Sequence, residues 1–407
     1  MRVMCTVSAW PSHYYPMVPV LWALRAAGHE VLVACPPSQA GPVSRAGLTP
    51  APELGELAIP FLARLRNVWD AQAGTWPYDW VPPHPVTGAD MSSLAEFGYA
   101  DFARASRQLI AEPVARGGQA AIDLARRWRP DLILHEPLSM EGLLAARVVG
   151  VPSAVHLWGP VGTHEDDPAI RAVVEYPVGS FTPHRAGPLT LDTVTHVIDP
   201  CPAGLAPPVD ATRLAVRYTP YNGPGTMPTW VLEPPERQRV TVVWGSSLTA
   251  MFGPPSLAVR LILAALADLD VEVLVGVAGQ DLDGVGPTPA NVRLLDGVPL
   301  HVALPGSAAV VHHGGAGCLM TSVAAGVPQL VLPTGMDQPA NAARLAATGA
   351  AIRLPRAEAT VQRIRDAVTS LLDVPEHRRA AQRLAARNEE RPTPAGLVTD
   401  LEKLAAG

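Results

Sequence analysis

The amino-acid sequence predicts an α/β protein made of two open parallel sheets that face one another across a cleft, and three observations carry that prediction. Short apolar runs alternate with longer segments of helical period toward both ends of the chain, the pattern of strand–helix–strand units. The alternation stops near the middle, in a stretch rich in proline, glycine and threonine, and then restarts. The halves also echo each other. "DLILHEPLSMEGLLAARVVGVPSAVHLW" from Asp131 and "AAVVHHGGAGCLMTSVAAGVPQLVLP" from Ala308 both run strand, polar turn, helix, Gly-Val-Pro, strand. Such an echo also arises by chance, since helix-to-strand turns often hold glycine, but two similar sheets account for it better.

Taken in order, residues 2–8 read as a strand, 19–27 as a helix, and 30–34 as a second strand entered through Gly28-His29. Residues 131–135 read as a strand and 140–149 as a helix, and Val151-Pro152 leads into a strand at 153–157. From 159 to about 235 the pattern is lost, and "TPYNGPGTMPTW" at 219–230 reads as a linker. Residues 239–244 and 271–275 then read as strands, with a helix at 257–266 between them. An apolar run ending at two histidines, a glycine-rich turn, a helix-like stretch and a second run ending at Pro333 follow. Open α/β sheets take ligands outside the carboxyl ends of their strands, so two of them place their chemistry in the cleft between. Both His13 and His313 lie where that rule points.

At 407 residues the chain is long enough for two ordinary domains, and 48% apolar with 17% charged residues describes a soluble globular protein. A net charge of -6 offers no basic field for nucleic acid or an anionic membrane. An anionic ligand must then be held by a local device. The opening "MRVMCTVSAWPSHYYPMVPV" has one arginine and too short an apolar run for a signal peptide. No run long enough to span a bilayer occurs, and a cytoplasmic location is expected. Cys5, Cys35, Cys201 and Cys318 form no CxxC pair, which argues against a disulfide framework and a zinc knuckle.

The glycine-rich turn supplies the local device. Gly314, Gly315 and Gly317 let backbone N–H groups approach a ligand, and the helix after them adds unpaired N–H groups and a positive dipole end. This is a phosphate site without a lysine. It lacks the GxxxxGK[ST] pattern, so ATP hydrolysis is not expected. The first strand leads into Trp10-Pro-Ser-His-Tyr-Tyr-Pro16 rather than GxGxxG, which argues against NAD there. The pattern leaves two readings of His313 open, a donor to a phosphate oxygen or a satisfied structural histidine. His312, pointing the opposite way, is expected to pack under the sheet. Asp337 reads as a helix cap or turn residue, or, with Gln338, as an acceptor and donor pair suited to the vicinal hydroxyls of a sugar. His13 reads equally as a general base or as a packing residue among Tyr14, Tyr15 and Pro16. Trp69, Trp76, Tyr78, Trp80, Phe97 and Tyr99 crowd one segment of a chain that is only 5% aromatic. At least half of them are expected in the core, and the rest, with Trp158, suit a flat apolar ligand.

The stretches "HHGGAG", "AAGVPQLVLP" and "DQPANA", the entry "PSHYYPMVPVLWALRAAGHEV", the "VVWGSS" after the linker and the linker's own "YNGPG" resemble the family-1 nucleotide-sugar glycosyltransferases of GT-B fold. The likeness is greatest to bacterial enzymes that attach deoxysugars to polyketides and related aglycones, and it covers essentially the whole chain. It implies two Rossmann-like domains with parallel sheets facing across an interdomain cleft. Residues 1–218 would bind the acceptor, 219–236 would be the linker, 237–390 would bind the nucleotide sugar, and 391–407 would be a helix crossing back to the first domain.

Carried over by position, the resemblance implies that His313 and the backbone of Gly314, Gly315 and Gly317 hold the diphosphate, with Ser246 helping. Asp337 and Gln338 would contact the sugar, and the Val298 backbone would meet the base. Cys318 stands where relatives have threonine or serine, and a thiol is a weak donor, so one phosphate hydrogen bond would be missing or supplied by the backbone. His13 matches the catalytic base of an inverting transfer, and Glu136 lies close to the position where relatives carry an aspartate that pairs with that histidine. As a residue alone, Glu136 reads equally as a solvated loop carboxylate. Trp69, Trp76, Tyr78, Trp80 and Trp158 would face the acceptor, and His301 reads as an ordinary helix-surface histidine. The implied activity is metal-independent transfer of a deoxysugar from a dTDP-sugar or UDP-sugar to a hydrophobic aglycone, first of all an aromatic polyketide. No cofactor, nucleic acid or membrane partner is implied, and the protein would be a monomer or homodimer. A metal-dependent transferase would use the DxD at Asp281-Leu-Asp283, which reads instead as a polar turn. A nucleotide-sugar 2-epimerase of the same fold would not need the aromatic segment. A non-catalytic helper would not need His13 beside a complete donor motif.

Overall fold

Strands whose apolar residues do not alternate with polar ones must be buried on both faces, which only a parallel sheet covered by helices provides. The protein has two such sheets in a computed structural model that describes residues 1–167, 170 and 181–407, with the side chains of Ser246 and Gln280 outside that description. The first comprises β1 (Arg2–Thr6), β2 (Glu30–Ala34), β3 (Pro50–Ala51), β4 (Leu132–His135), β5 (Ser153–His156), β6 (His196–Asp199) and β7 (Thr212–Ala215), in the order β3-β2-β1-β4-β5-β6-β7. The second comprises β8 (Gln238–Trp244), β9 (Val271–Val277), β10 (Val292–Leu294), β11 (Ser307–His312), β12 (Gln329–Val331) and β13 (Ala351–Arg353), in the order β10-β9-β8-β11-β12-β13. Every pairing is parallel.

The strand order reverses between β1 and β4 in one sheet and between β8 and β11 in the other. Those gaps open a crevice at the carboxyl ends of the strands. The segments carrying His13 and Glu136 leave β1 and β4, and those carrying Ser246 and His313 leave β8 and β11. The sequence echo has a structural counterpart, since β4, helix Glu141–Val149 and β5 occupy in the first sheet the place of β11, helix Ala316–Ala324 and β12 in the second.

Most element boundaries differ from the sequence reading by one or two residues. The larger difference is the stretch from 159 to about 235. Within it β6 and β7 extend the first sheet, although each is four residues long and β7 has two exposed positions. Such short strands among prolines, one of them at the sheet edge, carry too little hydrophobic pattern to read.

The halves meet along several contacts. Helix Ile59–Gln72 of the first reaches the helix after β8, with the Arg64 Nε donating to the Ala250 carbonyl at 2.6 Å and the Asn67 amide to the Met251 carbonyl at 2.9 Å. The Asn388 side chain accepts from the Tyr218 N–H at 2.9 Å and donates to the Tyr218 carbonyl at 3.0 Å, pinning the chain just before it enters the second half. Helix Pro394–Ala406, with Pro394 in its first turn and the Thr393 hydroxyl accepting from the Gly396 N–H, packs Leu397, Val398 and Leu401 into the apolar cluster that holds Val3, Leu21 and Leu24. Among the described residues no helix is long and apolar enough to cross a membrane.

Leu401 is fully buried in the first half although it belongs to the chain's last helix. Leu401→Ala is expected to cost about 2–5 kcal/mol, the range for a truncated core leucine. Equilibrium unfolding in urea reads this, and a loss below about 1 kcal/mol would mean the terminal helix is only loosely held.

Candidate functional site

β11 ends on two histidines whose rings are both committed inward at Nδ1. His312 is fully buried; its Nδ1 accepts the Gly314 N–H at 3.0 Å and its Nε2 lies 2.8 Å from the Gln329 side-chain oxygen. His313 accepts the Gly315 N–H at Nδ1 at 3.2 Å and lies edge-on to Trp244. A ring that accepts at Nδ1 carries its proton on Nε2. Burial pushes the His313 pKa down to about 3, with His312 adding to the shift, and the His312 pKa down to about 4. Both rings are therefore neutral at pH 7, and His313 lines the cleft as a neutral N–H donor.

The N–H groups of Gly314 and Gly315 are turned back onto the two rings. Gly314 adopts φ +96 and presses against Val331, a conformation and a proximity that exclude a side chain. The open donors are the N–H groups of Ala316, Gly317 and Cys318 in the first turn of helix Ala316–Ala324, which has no side-chain cap. The half-buried Cys318 thiol is pushed up to about 12 by burial, so it stays a neutral, weak donor. Ser246 opens the helix after β8; its side chain lies outside the described residues. Val298 lies outside the cleft walls, in a small apolar cluster with Leu274, Leu295 and Ala303. His301 is exposed as expected, and its Nδ1 lies 2.9 Å from the side-chain oxygen of Asn222.

Asp337 and Gln338 are presented by a strained turn. Met336 has φ +59, costly for a residue with a side chain, and a Cβ on Gly335 would stand 2.7 Å from the Phe252 ring. The Gln338 oxygen accepts the Thr334 N–H at 2.9 Å, which leaves its amide N–H groups for a ligand. Burial raises the Asp337 pKa, opposed by hydrogen bonding from Asn341, its own backbone and the Trp158 indole. Asn341 bridges the site, donating to the Asp337 carboxylate at 3.0 Å and to the Gly314 carbonyl at 3.1 Å. Sequence reasoning passed over Asn341, although its place four residues after Asp337, one helical turn on, was the available signal.

On the opposite wall, the one-turn helix Pro11–Tyr14 after β1 carries His13. The ring stacks on Trp158, centroids 4.2 Å apart and planes 19° from parallel. Its Nδ1 is buried without a hydrogen-bond partner, and burial lowers its pKa to about 3. Glu136 is neither solvated nor paired with His13. It is fully buried, and its two oxygens accept the N–H groups of Ser8 at 2.9 Å and Leu138 at 2.7 Å. These bonds hold the loops after β1 and β4 together. Nearby Glu141 is also buried, held by its own backbone N–H and by a long contact from the Ser139 hydroxyl at 3.3 Å. Burial raises the pKa of each carboxylate to about 7.

The cleft between the walls has a volume of about 280 Å³. Of the five aromatics expected there, Trp76, Tyr78 and Trp158 line it and Trp69 and Trp80 do not. Trp69 is 45% exposed and packs on Phe102. Helix Ile59–Gln72 turns Arg66, Asn67 and Asp70 to the cleft, and a residue two positions from Asn67 faces the other way. Trp80 stacks on Tyr78 and donates its indole N–H to the Phe252 carbonyl at 3.1 Å. The Tyr78 hydroxyl donates to the Thr334 carbonyl at 2.7 Å, so this aromatic strap also joins the halves. Arg344 adds a bidentate ion pair to the buried Glu165 across the cleft, at 2.8 and 2.6 Å. The Asp281 carboxylate accepts from the Thr249 hydroxyl at 3.2 Å. No group of three or more metal-ligating side chains is gathered among the described residues.

Comparison with known proteins places this geometry. Residues 115–245 match the N-terminal domain and residues 260–404 the C-terminal domain of the erythromycin biosynthesis protein CIII-like family. The chain is 35% identical to the 10-deoxymethynolide desosaminyltransferase of Streptomyces venezuelae, over 100% of this chain and 97% of that protein. It is also 35% identical to the aklavinone 7-beta-L-rhodosaminyltransferase of Streptomyces galilaeus, over 100% of this chain and 96% of that one. The crystal structure of the glycosyltransferase VinC in complex with dTDP superposes with a TM-score of 0.76 at 29% identity, over the whole of both chains. The fold is GT-B, two Rossmann-like domains.

Glu136 and Glu141 also set a pH dependence. Each has a folded pKa near 7 against an ordinary value of 4.5. The unfolded chain therefore releases these protons at lower pH than the folded one, and stability falls as pH rises between about 4.5 and 7. Glu141→Gln removes one of the two groups, so the fall in melting temperature between pH 5 and pH 8 is expected to be shallower than in the wild type. An unchanged slope would show that the Glu141 carboxylate is solvated.

Proposed function

The chain belongs to the erythromycin biosynthesis protein CIII-like family of deoxysugar glycosyltransferases, and from that membership we propose an inverting, metal-independent transfer from a dTDP-sugar to a hydrophobic aglycone. It transfers a sugar to a natural-product acceptor, and we place that acceptor among the aromatic polyketides. We assign residues 1–218 to the acceptor domain, 219–236 to the linker, 237–390 to the donor domain and 391–407 to the returning helix. The observation that carries this reading is the division of one cleft into two unlike walls. His313 with Gly317 and its neighbours lies on one, and His13 with Trp76 and Tyr78 lies on the other.

On the donor wall, the diphosphate takes the His313 Nε2–H and the N–H groups of Ala316, Gly317 and Cys318, which also place it at the positive end of a helix. Asp337 accepts from sugar hydroxyls, and the Gln338 amide donates to them. On the acceptor wall, His13 takes the proton of the attacking hydroxyl. Its oxygen approaches the anomeric carbon from that side while the diphosphate leaves toward the other, which inverts the configuration. The low basicity of the buried imidazole keeps it unprotonated throughout the physiological range, so the base is always available. A relative named for aklavinone and a solved rhamnosyltransferase complexed with spinosyn aglycone support a natural-product aglycone as acceptor, and the structure with dTDP supports the donor.

His313→Ala is expected to weaken dTDP binding by about one to two decades, the effect of losing a phosphate contact of roughly 1–3 kcal/mol. Calorimetry in EDTA reads both this loss and the metal requirement. Unchanged affinity would remove His313 from the site, and binding that vanishes with the chelator would end the metal-free reading.

His13→Ala is expected to lower kcat by about 10²-fold or more on an aliphatic alcohol acceptor while dTDP affinity stays within about twofold. A packing histidine would instead lower melting temperature, affinity and turnover together. Full turnover of the variant would exclude His13 as the base.

A further inference from the structure

An imidazole that takes a proton needs its ring held in the reacting plane and its new positive charge stabilised, and in many enzymes one carboxylate does both. Among the described residues no carboxylate pairs with His13. Nδ1 is buried without a partner, and the nearest sequence candidate, Glu136, is occupied by the N–H groups of Ser8 and Leu138. What touches the ring is Trp158, parallel to it at 4.2 Å. The indole is buried, and its N–H serves the carboxylate of Asp337 from the opposite half. Its seat is built for close approach. A Cβ on the adjacent Gly159 would stand 2.7 Å from that of Ala316, and Glu165 of the same loop is held by both Arg344 nitrogens.

We infer that Trp158 is the positioning residue of the transfer: its ring face fixes the plane of the His13 imidazole and stabilises the imidazolium that forms as the acceptor loses its proton. This rests on His13 being the base. A cation over an indole face within about 6 Å is attracted by the ring quadrupole, more strongly than over phenyl or phenol. A hydrogen bond from the indole N–H to a carboxylate makes that face richer in electrons. In the step, the acceptor oxygen bonds to the anomeric carbon and the bond from that carbon to the diphosphate oxygen breaks, its electron pair leaving on the diphosphate. The acceptor proton passes to His13, which later releases it to solvent.

Three comparisons test this. Trp158→Leu removes the ring face, and Trp158→Phe keeps a face and removes the N–H. With an aliphatic alcohol acceptor, kcat is expected to fall about tenfold to thirtyfold in the Leu variant and about threefold in the Phe variant, with dTDP affinity within about twofold. With a phenolic acceptor, whose pKa near 10 makes it a readier proton donor, both losses shrink to about threefold or less. In a His13→Ala background, Trp158→Leu adds nothing. Equal losses in the Leu and Phe variants, equal losses on both acceptors, or an undiminished loss without His13 would each overturn the inference. Full turnover of His13→Ala by itself overturns the base reading and the inference together, whereas an additive Trp158 effect beside an impaired His13→Ala overturns the inference alone. If the Leu variant does not fold, the Phe and Tyr variants in both His13 backgrounds carry the same comparison.

Discussion

Two hydrogen bonds, from the Gly314 and Gly315 N–H groups to Nδ1 of His312 and His313, organise the donor side of the cleft. Each fixes a tautomer. His312 is left with an Nε2–H for Gln329, so a wholly buried ring is satisfied at both nitrogens and anchors β11 to β12. His313 is left with an Nε2–H beside Gly245, where a Cβ would come within 3.4 Å. The same bonds remove two N–H groups from the glycine-rich turn and leave the next three pointing free. The Gly314 carbonyl, turned the other way by φ +96, receives Asn341, which in turn holds Asp337. One backbone geometry thus orients the phosphate donors and, through a single amide, the carboxylate assigned to the sugar.

The closure of the cleft depends on polar contacts that would be expensive to break singly. Glu165 is almost fully buried, and it accepts both Arg344 nitrogens and the Gly162 N–H. Losing Arg344 would strand that carboxylate without its cation, although a buried ion pair of this kind contributes less to stability than to the choice of one arrangement. Tyr78 and Trp80 add hydrogen bonds to the Thr334 and Phe252 carbonyls. The Tyr78 bond reaches the same turn, 334–338, that presents Asp337 and Gln338. The strained φ of Met336 is held there by packing from both halves.

Much of this was legible in the chain. The alternation of apolar runs located β1, β2, β4, β5, β8 and β9 to within a few residues, and the strand-end rule put His13 and His313 on the cleft. Strands β6 and β7 were not legible, because each is a four-residue run among prolines without the Gly-Val-Pro turn and flanking helix that marked β4 and β5. Side-chain commitments were hidden for a different reason. That Glu136 follows β4 is a matter of sequence, but which N–H groups it meets depends on how close the loop after β1 approaches. The excess of aromatics pointed to the correct segment and could not assign Trp69 or Trp80, since the face of a helix and the turn after it decide which rings reach the cleft. Asn341 was readable from its helical spacing and was overlooked because Asp337 beside it had a more familiar role.

The electrostatic character of the cleft follows from these commitments. The protein carries a net charge of -6, and among the described residues the only cationic side chain lining the cleft, Arg66, is already paired with Asp70 at 2.8 Å. His13 and His313 are held neutral by burial. A dianionic leaving group would therefore be received by neutral N–H donors and a helix terminus, whose fixed dipoles need no counterion and no reorganisation as charge develops. His313 offers no free lone pair on this wall, because its Nδ1 already accepts the Gly315 N–H. The proposed transfer assigns the acceptor's proton to the opposite wall, where His13 stacks on Trp158 without a carboxylate partner.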